Sequence, residues 1–137
     1  MTDFLSPNID CAADDISILG LAYVGDAVFE LMARTNFCMQ GFHSARRLHK
    51  GTLELVCAKA QAEAMELLLP ELDEEEYSIF KRGRNARVNS VPRGCTHKQY
   101  HFSTGLEALF GYLYLRGKTD RLNDLFSLIT GGVRLCP

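Results

Sequence analysis

The stretch LGLAYVGDAVFEL, residues 19–31, is apolar on nearly every side of the helix that its spacing predicts. Only Asp26 and Glu30 carry a charge in it. A helix that is apolar all round belongs in a protein core, where an ionised carboxylate is costly without a cation or hydrogen-bond donors. Asp26 therefore needs a partner from elsewhere in the chain.

A second stretch, STGLEALFGYLYL at residues 103–115, has the same property, with Glu107 as its only charge. We expect the two helices to cross, with Asp26 and Glu107 facing each other across a metal. Gly20 and Gly25 lie inside the first helix, where each costs roughly 1 kcal/mol relative to alanine. Their presence favours the close approach of another backbone at that point.

Simpler explanations exist for both acids. Glu30 and Arg34 are four residues apart and fit an exposed helical ion pair, and Asp26 could lie at the edge of that polar stripe. Thr104 stands three residues before Glu107, which is the spacing of a capping box, so Glu107 could serve only to cap its helix.

The composition indicates one globular domain of 137 residues with a formal net charge of −2. Its five cysteines are odd in number and contain no Cys-x-x-Cys pair, which favours reduced, mostly buried thiols in a cytoplasmic protein. The N-terminus lacks the pattern of a signal peptide, and no apolar run approaches the roughly 20 residues that span a bilayer.

Helical periodicity predicts an all-α protein of six or seven helices, because no segment alternates convincingly. A polar N-terminal arm is expected at residues 1–14 and a basic turn capped by Ser44. A loop is expected at about 86–102. The expected helices cover about residues 15–39, 52–69, 74–85, 103–115 and 119–130.

A basic segment occupies the middle of the chain. Between Glu76 and Glu107 there is no acidic residue, yet six of the fifteen lysines and arginines fall there. Helix-dipole complementarity accounts for Lys81 and Arg82, but it does not account for the others. The segment is predicted to contact the phosphate backbone of a nucleic-acid duplex. The candidate contact residues are Lys81, Arg82, Arg84, Asn85, Arg87, Arg93 and Lys98. A smaller basic cluster at residues 46–50 could extend this surface.

The two acids and the basic segment together suggest a hydrolase. Paired carboxylates can hold Mg²⁺, which also takes phosphate oxygens as ligands and can activate water for attack on a phosphodiester. Cys95, His97 and His101 cluster in the predicted loop without a fourth ligand, so a hydrogen-bonded or phosphate-facing histidine pair is favoured over zinc.

Several of these segments resemble a known family. LAYVGDAVFE resembles the signature helix of the ribonuclease III catalytic domain, and LEALFGYLYL resembles that family's second metal-binding helix. The central KRGRNA and the YHFST before the second helix are similar to the small bacterial branch called Mini-III ribonuclease. The resemblance extends from about residue 16 to residue 130.

The resemblance implies an all-α homodimer of ribonuclease III endonuclease domains with two active sites along one cleft. It implies Mg²⁺-dependent cleavage of both strands of double-stranded RNA, with Mn²⁺ as a substitute and 5′-phosphate products. The implied substrate is the precursor of 23S ribosomal RNA, cut at both ends in the cytoplasm, with a ribosomal protein as a further partner. By position, Asp26 and Glu107 match the catalytic and metal-binding acids of the family.

The chain also departs from full ribonuclease III. Ala22 stands where that family has a glutamate, four residues before Asp26, and Thr104 stands where it has an aspartate, three residues before Glu107. These changes, which are usual in Mini-III, imply one well-held Mg²⁺ per subunit, a second arriving with the RNA, and Thr104 reaching the metal through a water.

Nothing follows residue 137, so residues 1–137 are expected to form a single catalytic domain without the double-stranded RNA-binding domain. The sequence is also compatible with two other classes of protein. One is a non-catalytic RNA-binding or ribosome-assembly module on a degenerate ribonuclease III fold. The other is a helical scaffold dimer, in which Asp26 is merely hydrogen-bonded and Glu107 is a cap.

Overall fold

The computed structural model describes residues 2–12, 14–41, 44–88 and 90–131, and every regular element in these ranges is helical. The all-α prediction is therefore confirmed. In chain order the elements are α1 (Ile18–Met39), α2 (Ala45–Val56), α3 (Ala58–Leu68), a 3₁₀ turn (Leu69–Glu71), α4 (Glu74–Arg84), α5 (His97–Leu115) and α6 (Thr119–Ile129).

Helix α5 is the centre of the fold and packs against α1, α3, α4 and α6. Phe110 of α5 and Phe29 of α1 are fully buried, and their ring centroids are 5.3 Å apart in an edge-to-face arrangement. Phe80 of α4 is also fully buried and packs close to Gly105 on another face of α5. The core thus forms around the helix that carries Glu107.

Helices α1 and α5 cross in direct backbone contact. A Cβ atom added at Gly25 would lie 1.6 Å from the backbone oxygen of Glu107, and one added at Gly111 would lie 1.9 Å from the backbone oxygen of Leu21. The predicted close approach is confirmed at Gly25. It is wrong at Gly20, whose Cβ would meet, among the described residues, only Ser17 and Ile16 just before its own helix.

The expectation that residues 19–31 are buried on all sides is wrong. Tyr23 is 83% exposed and Leu31 is 61% exposed, and Asp26 is exposed beside them. Among the described residues, the buried face of α1 includes Leu21 and Phe29. Periodicity reveals apolar faces, but it does not reveal which of them this chain itself covers.

Two helices begin at other residues than the sequence predicted. Helix α1 begins at Ile18 rather than near Asp15, because the Ser17 Oγ accepts a hydrogen bond from the Gly20 N–H at 3.0 Å. Helix α5 begins at His97, six residues before the predicted start. Its N-terminus is fixed by a capping box of Thr96 and Gln99.

The earlier start of α5 has two consequences. His97, Lys98 and His101 belong to a helix and not to the predicted loop. Glu107 lies in the middle of α5, so the alternative that it caps a helix is wrong.

The segment predicted as one helix over residues 52–69 belongs to two helices. Ser44 caps α2 as expected, accepting a hydrogen bond from the Arg47 N–H at 3.1 Å, but α2 continues through Gly51 to Val56. The chain then turns at Cys57, whose ψ of 156° is extended. No glycine or proline marks this break in the sequence.

A buried ion pair connects α4 to α6. Glu76, which forms the predicted capping box with Asp73, receives hydrogen bonds from the Arg121 guanidinium at 2.8 Å on both carboxylate oxygens. Burial raises the pKa of Glu76, but the hydrogen bonds from Arg121 and from the Asp73 backbone outweigh it and lower the pKa below its ordinary value. This pair fixes the last helix to the end of α4.

The N-terminal residues pack beside the C-terminal end of α5. Pro7 and Cys11 are buried, and the Ile9 N–H donates to the Leu115 carbonyl at 2.8 Å. The expectation of mostly buried thiols is wrong for the described residues, since Cys38 and Cys57 are exposed. Within the same residues, none of the helices combines the length and hydropathy needed to cross a bilayer.

Candidate active site

The crossing of α1 and α5 brings the two predicted acids together. Asp26 follows Gly25, the residue whose backbone touches that of Glu107. Burial, together with a hydrogen bond with Asp26 and the negative charge of Asp26, raises the pKa of the Glu107 carboxyl to about 8. Asp26 is exposed while Glu107 is partly buried, so the expectation of a carboxylate in the core is wrong for Asp26.

The chemistry of this pair fits a hard divalent cation. Within the described ranges, neither Asp26 nor Glu107 takes part in an ion pair with a lysine, arginine or histidine. Two adjacent carboxylates without a counter-charge repel each other, and carboxylate oxygens are the donors that Mg²⁺ prefers. The same residues contain no group of three or more His, Cys, Asp or Glu side chains placed to hold a metal, so the protein offers two carboxylates at this point.

Thr104 is engaged by neighbouring residues of the protein. Its side chain is buried, its hydroxyl donates to the Tyr100 carbonyl at 3.0 Å, and its backbone packs close to Gly83 of α4. Ser103, four residues before Glu107, lies on the same face of α5, and its Oγ donates to the same carbonyl at 2.8 Å. A contact of Thr104 with the metal through a water stays a prediction.

Glu107 lies in a cleft of about 510 Å³ between the α2–α3 junction, the loop before α5 and the first half of α5. Two cations, Lys59 and Arg93, line the cleft together with Gln61 and Ser103. Of these, sequence reasoning found only Arg93. The positions of Lys59 and Gln61 depend on the break at Cys57, which has no signal in the sequence.

The predicted basic residues separate into groups. Lys81, Arg82, Asn85 and Arg87 are exposed at the end of α4 and in the segment that follows it. Arg84 is half-buried, with its guanidinium carbon 5.6 Å from the centroid of the Phe80 ring. Arg82 and Arg84 flank Gly83, whose backbone packs against Thr104 and Gly105 of α5.

Arg93 and Lys98 are placed differently from that group. Arg93 lines the Glu107 cleft. Lys98 forms an exposed ion pair with Glu66 of α3 at 3.4 Å and lies over the ring of Phe102. His97 and His101, with ring centroids 6.5 Å apart, line a separate cleft of about 490 Å³ together with Arg87.

Comparison with known proteins defines the class. The ribonuclease III domain family matches residues 19–118, a range that contains both Asp26 and Glu107. Members of this family act on double-stranded RNA and use divalent metal ions. The helical fold, the acid pair and this match define an endoribonuclease of the ribonuclease III class.

Individual relatives narrow the class further. The chain is 44% identical over 113 residues to Mini-ribonuclease 3 of Thermoanaerobacter sp., covering 82% of this chain and 80% of the relative. It is 41% identical over 107 residues to Mini-ribonuclease 3 of Symbiobacterium thermophilum, covering 78% and 82%. The crystal structure of protein FN1578 from Fusobacterium nucleatum superimposes with a TM-score of 0.80 at 34% identity, covering 88% and 92%. The chain therefore belongs to the Mini-ribonuclease 3 family.

Proposed function

We propose that this protein is a Mg²⁺-dependent endoribonuclease that cuts both strands of double-stranded RNA, and that Asp26 and Glu107 hold the metal. Mn²⁺ is expected to substitute for Mg²⁺. One observation carries the proposal: a partly buried Glu107 carboxyl, with its pKa raised to about 8, lies beside a second carboxyl on a crossing helix. Such a pair is stabilised by a divalent cation.

Different residues of the chain have different roles in the proposed reaction. When bound, the cation supplies the positive charge that polarises a phosphodiester and makes water a better nucleophile. Asp26 and Glu107 would hold it, and the backbone contact between Gly25 and Glu107 supports this because it brings the two helices together at these residues. Lys59 and Arg93 would orient the RNA phosphates in the Glu107 cleft.

Incubating the protein with a defined RNA duplex tests the central proposal. We expect cleavage into fragments with 5′-phosphates when Mg²⁺ or Mn²⁺ is present, and no cleavage when a chelator is in excess. Single-stranded RNA of the same sequence is the matched control and should stay intact. Cleavage that continues in chelator would contradict the metal role.

The substrate we propose is the precursor of 23S ribosomal RNA, trimmed at both ends in the cytoplasm. Membership of the Mini-ribonuclease 3 family supports this. A precursor transcript that contains the terminal stem should be cut on both strands of that stem. Addition of large-subunit ribosomal proteins to the transcript tests whether one of them is a partner.

We further propose that the chain forms a homodimer through the exposed apolar face of α1. Tyr23 and Leu31 lie on that face and line a groove of about 550 Å³ with Leu5 and Tyr114. An exposed apolar groove of this kind favours association. Because Asp26 lines the same groove, a second copy there would place two acid pairs along one duplex.

Replacing Leu31 by arginine should convert the dimer to a monomer, because a charge would be buried against the apolar face of the second copy. Sedimentation at micromolar concentration measures the change, and cutting of both strands should decrease with it. Leu67→Arg is the matched control, since Leu67 is also 61% exposed but lies on α3. A monomeric wild type, or an unchanged Leu31→Arg dimer, would contradict this interface.

The basic residues Lys81, Arg82, Arg84, Asn85, Arg87, Arg93 and Lys98 are proposed to bind RNA. Arg87→Ala should weaken duplex binding by roughly three- to tenfold and lower the slope of log affinity against log salt by just under one unit, because one phosphate contact is lost. Arg84→Ala should act similarly, with an added small loss of packing on Phe80. Binding is measured in chelator at several salt concentrations.

Lys118→Ala is the control for this experiment. Lys118 is exposed and lies just beyond the C-terminal end of α5, whereas Arg84 and Arg87 lie near its N-terminal half. The control should leave both affinity and salt slope close to the wild-type values. If Arg84→Ala and Arg87→Ala behave like it, the basic segment does not contact the RNA.

A further inference from the structure

The α3 residue Gln61 is the least expected polar side chain of the Glu107 cleft. It is only 3% exposed, although it lines the cleft together with Lys59, Arg93, Ser103 and Glu107. Its amide nitrogen is enclosed and finds no hydrogen-bond acceptor among the described residues. Buried amide groups nearly always have a partner, so the absence of one here needs an explanation.

A purely structural role does not explain this side chain. Gln61 is flanked by Ala60 and Ala62 in a helix whose buried residues Met65 and Leu68 are apolar. A leucine at that position would fill similar space without an unsatisfied polar group, so the carboxamide costs stability. Polar groups that reduce stability inside a cleft are typical of residues retained for binding.

The neighbours of Gln61 restrict what it could bind. Lys59 and Arg93 place two positive charges at the same cleft, which favours an anion there. The Ser103 hydroxyl already donates to the Tyr100 carbonyl, so its hydrogen is engaged. Gln61 is therefore a buried, uncharged side chain of the cleft with free donor capacity, and rotation of its amide by about 180° can turn the N–H groups outward.

We propose that the Gln61 carboxamide is a substrate-contacting residue that donates a hydrogen bond to a phosphate oxygen of the RNA strand entering the Glu107 cleft. This inference rests on the proposed function, because it takes the strand that is cut to pass Glu107. A neutral donor releases no counterion when it binds a phosphate. Its loss should therefore weaken binding without changing the salt slope, unlike the loss of Arg93.

Gln61→Leu tests the contact with three measurements on the full chain. The first is the rate of duplex cleavage with Mg²⁺ at limiting enzyme, expressed per folded molecule. The second is duplex affinity in chelator across a salt series, and the third is the melting temperature. We expect cleavage and affinity to fall roughly tenfold, the salt slope to stay unchanged, and the melting temperature to stay the same or rise.

Gln40→Leu is the matched control. Gln40 is also buried, at 8% exposed, but its amide nitrogen donates to the Asn36 side chain at 3.3 Å, and it does not line the Glu107 cleft. This variant should lower the melting temperature while leaving cleavage per folded molecule unchanged. The two glutamines thus separate a loss of binding from a loss of stability.

The outcomes distinguish this inference from the proposed function. If the wild type cuts duplex RNA and Gln61→Leu cuts equally well per folded molecule, the contact is overturned and the proposed function stands. If the wild type binds duplex RNA but never cuts it, the metal proposal fails, and the affinity of Gln61→Leu still decides the contact. A wild type that neither binds nor cuts duplex RNA overturns both.

Discussion

Asp26→Asn is expected to lower Mg²⁺-dependent cleavage of duplex RNA by roughly a thousandfold or more, because it removes one of the two carboxylates that we propose hold the metal. The substitution preserves shape and removes charge. The metal-free protein should therefore stay folded. Above about pH 8, where Glu107 of the wild type ionises beside Asp26, the melting temperature of the variant in chelator should stay the same or rise, because the repulsion between the two acids is removed. Duplex binding in chelator should persist.

Glu30→Gln provides the control for Asp26→Asn. Glu30 lies one turn further along α1 and lines the same groove as Asp26, but it forms an ion pair with Arg34 at 2.8 Å. We expect its cleavage rate to stay within a few-fold of the wild-type rate, because exposed helical pairs contribute little. Wild-type cleavage by Asp26→Asn would overturn the assignment of the metal to this pair.

Gly25→Ala should destabilise the fold by about 3 kcal/mol or more, a large share of the stability of a typical domain. The added Cβ would meet the backbone oxygen of Glu107 at 1.6 Å and the backbone nitrogen of Gly111 at 2.7 Å. Backbone atoms at a helix crossing cannot rotate away as a side chain can, so α1 and α5 must separate. Urea denaturation measures the loss.

Gly20→Ala is the matched control on the same helix. Within the described part of the chain, its Cβ would approach only the Ser17 and Ile16 side chains, at 3.1 and 3.3 Å. The gain in helix propensity then offsets most of the local crowding, and we expect a change below about 1 kcal/mol. A Gly25→Ala protein as stable as the Gly20→Ala protein would mean that the two backbones are not in contact.

The crossing that these variants test was largely predictable from the residues. Two nearly uncharged helices each carried one unexplained acid, and this predicted that the helices cross at those acids. Gly25 indicated where a second backbone could approach. The capping residues Ser44 and Asp73 were equally local signals, and both operate as predicted. Such features depend on neighbours within one helical turn, which a sequence contains in full.

The start of α5 also had a local signal in the sequence, the capping box formed by Thr96 and Gln99. The prediction placed it six residues too late because Thr104 and Glu107 offer the same spacing. Two candidate caps on one segment compete, and the choice between them depends on how the whole helix packs. Here packing against α1, α3 and α4 stabilises the longer helix.

The sequence by itself determined the helical class, the pairing of Asp26 with Glu107 and the basic segment, because periodicity and misplaced charge are properties of residues close together in the chain. Only the tertiary structure decided which acid is buried, which face of α1 stays exposed, and that Lys59 and Gln61 line the Glu107 cleft. Burial and clefts arise from contacts between distant segments, and the free energy of those contacts is not encoded in any one stretch.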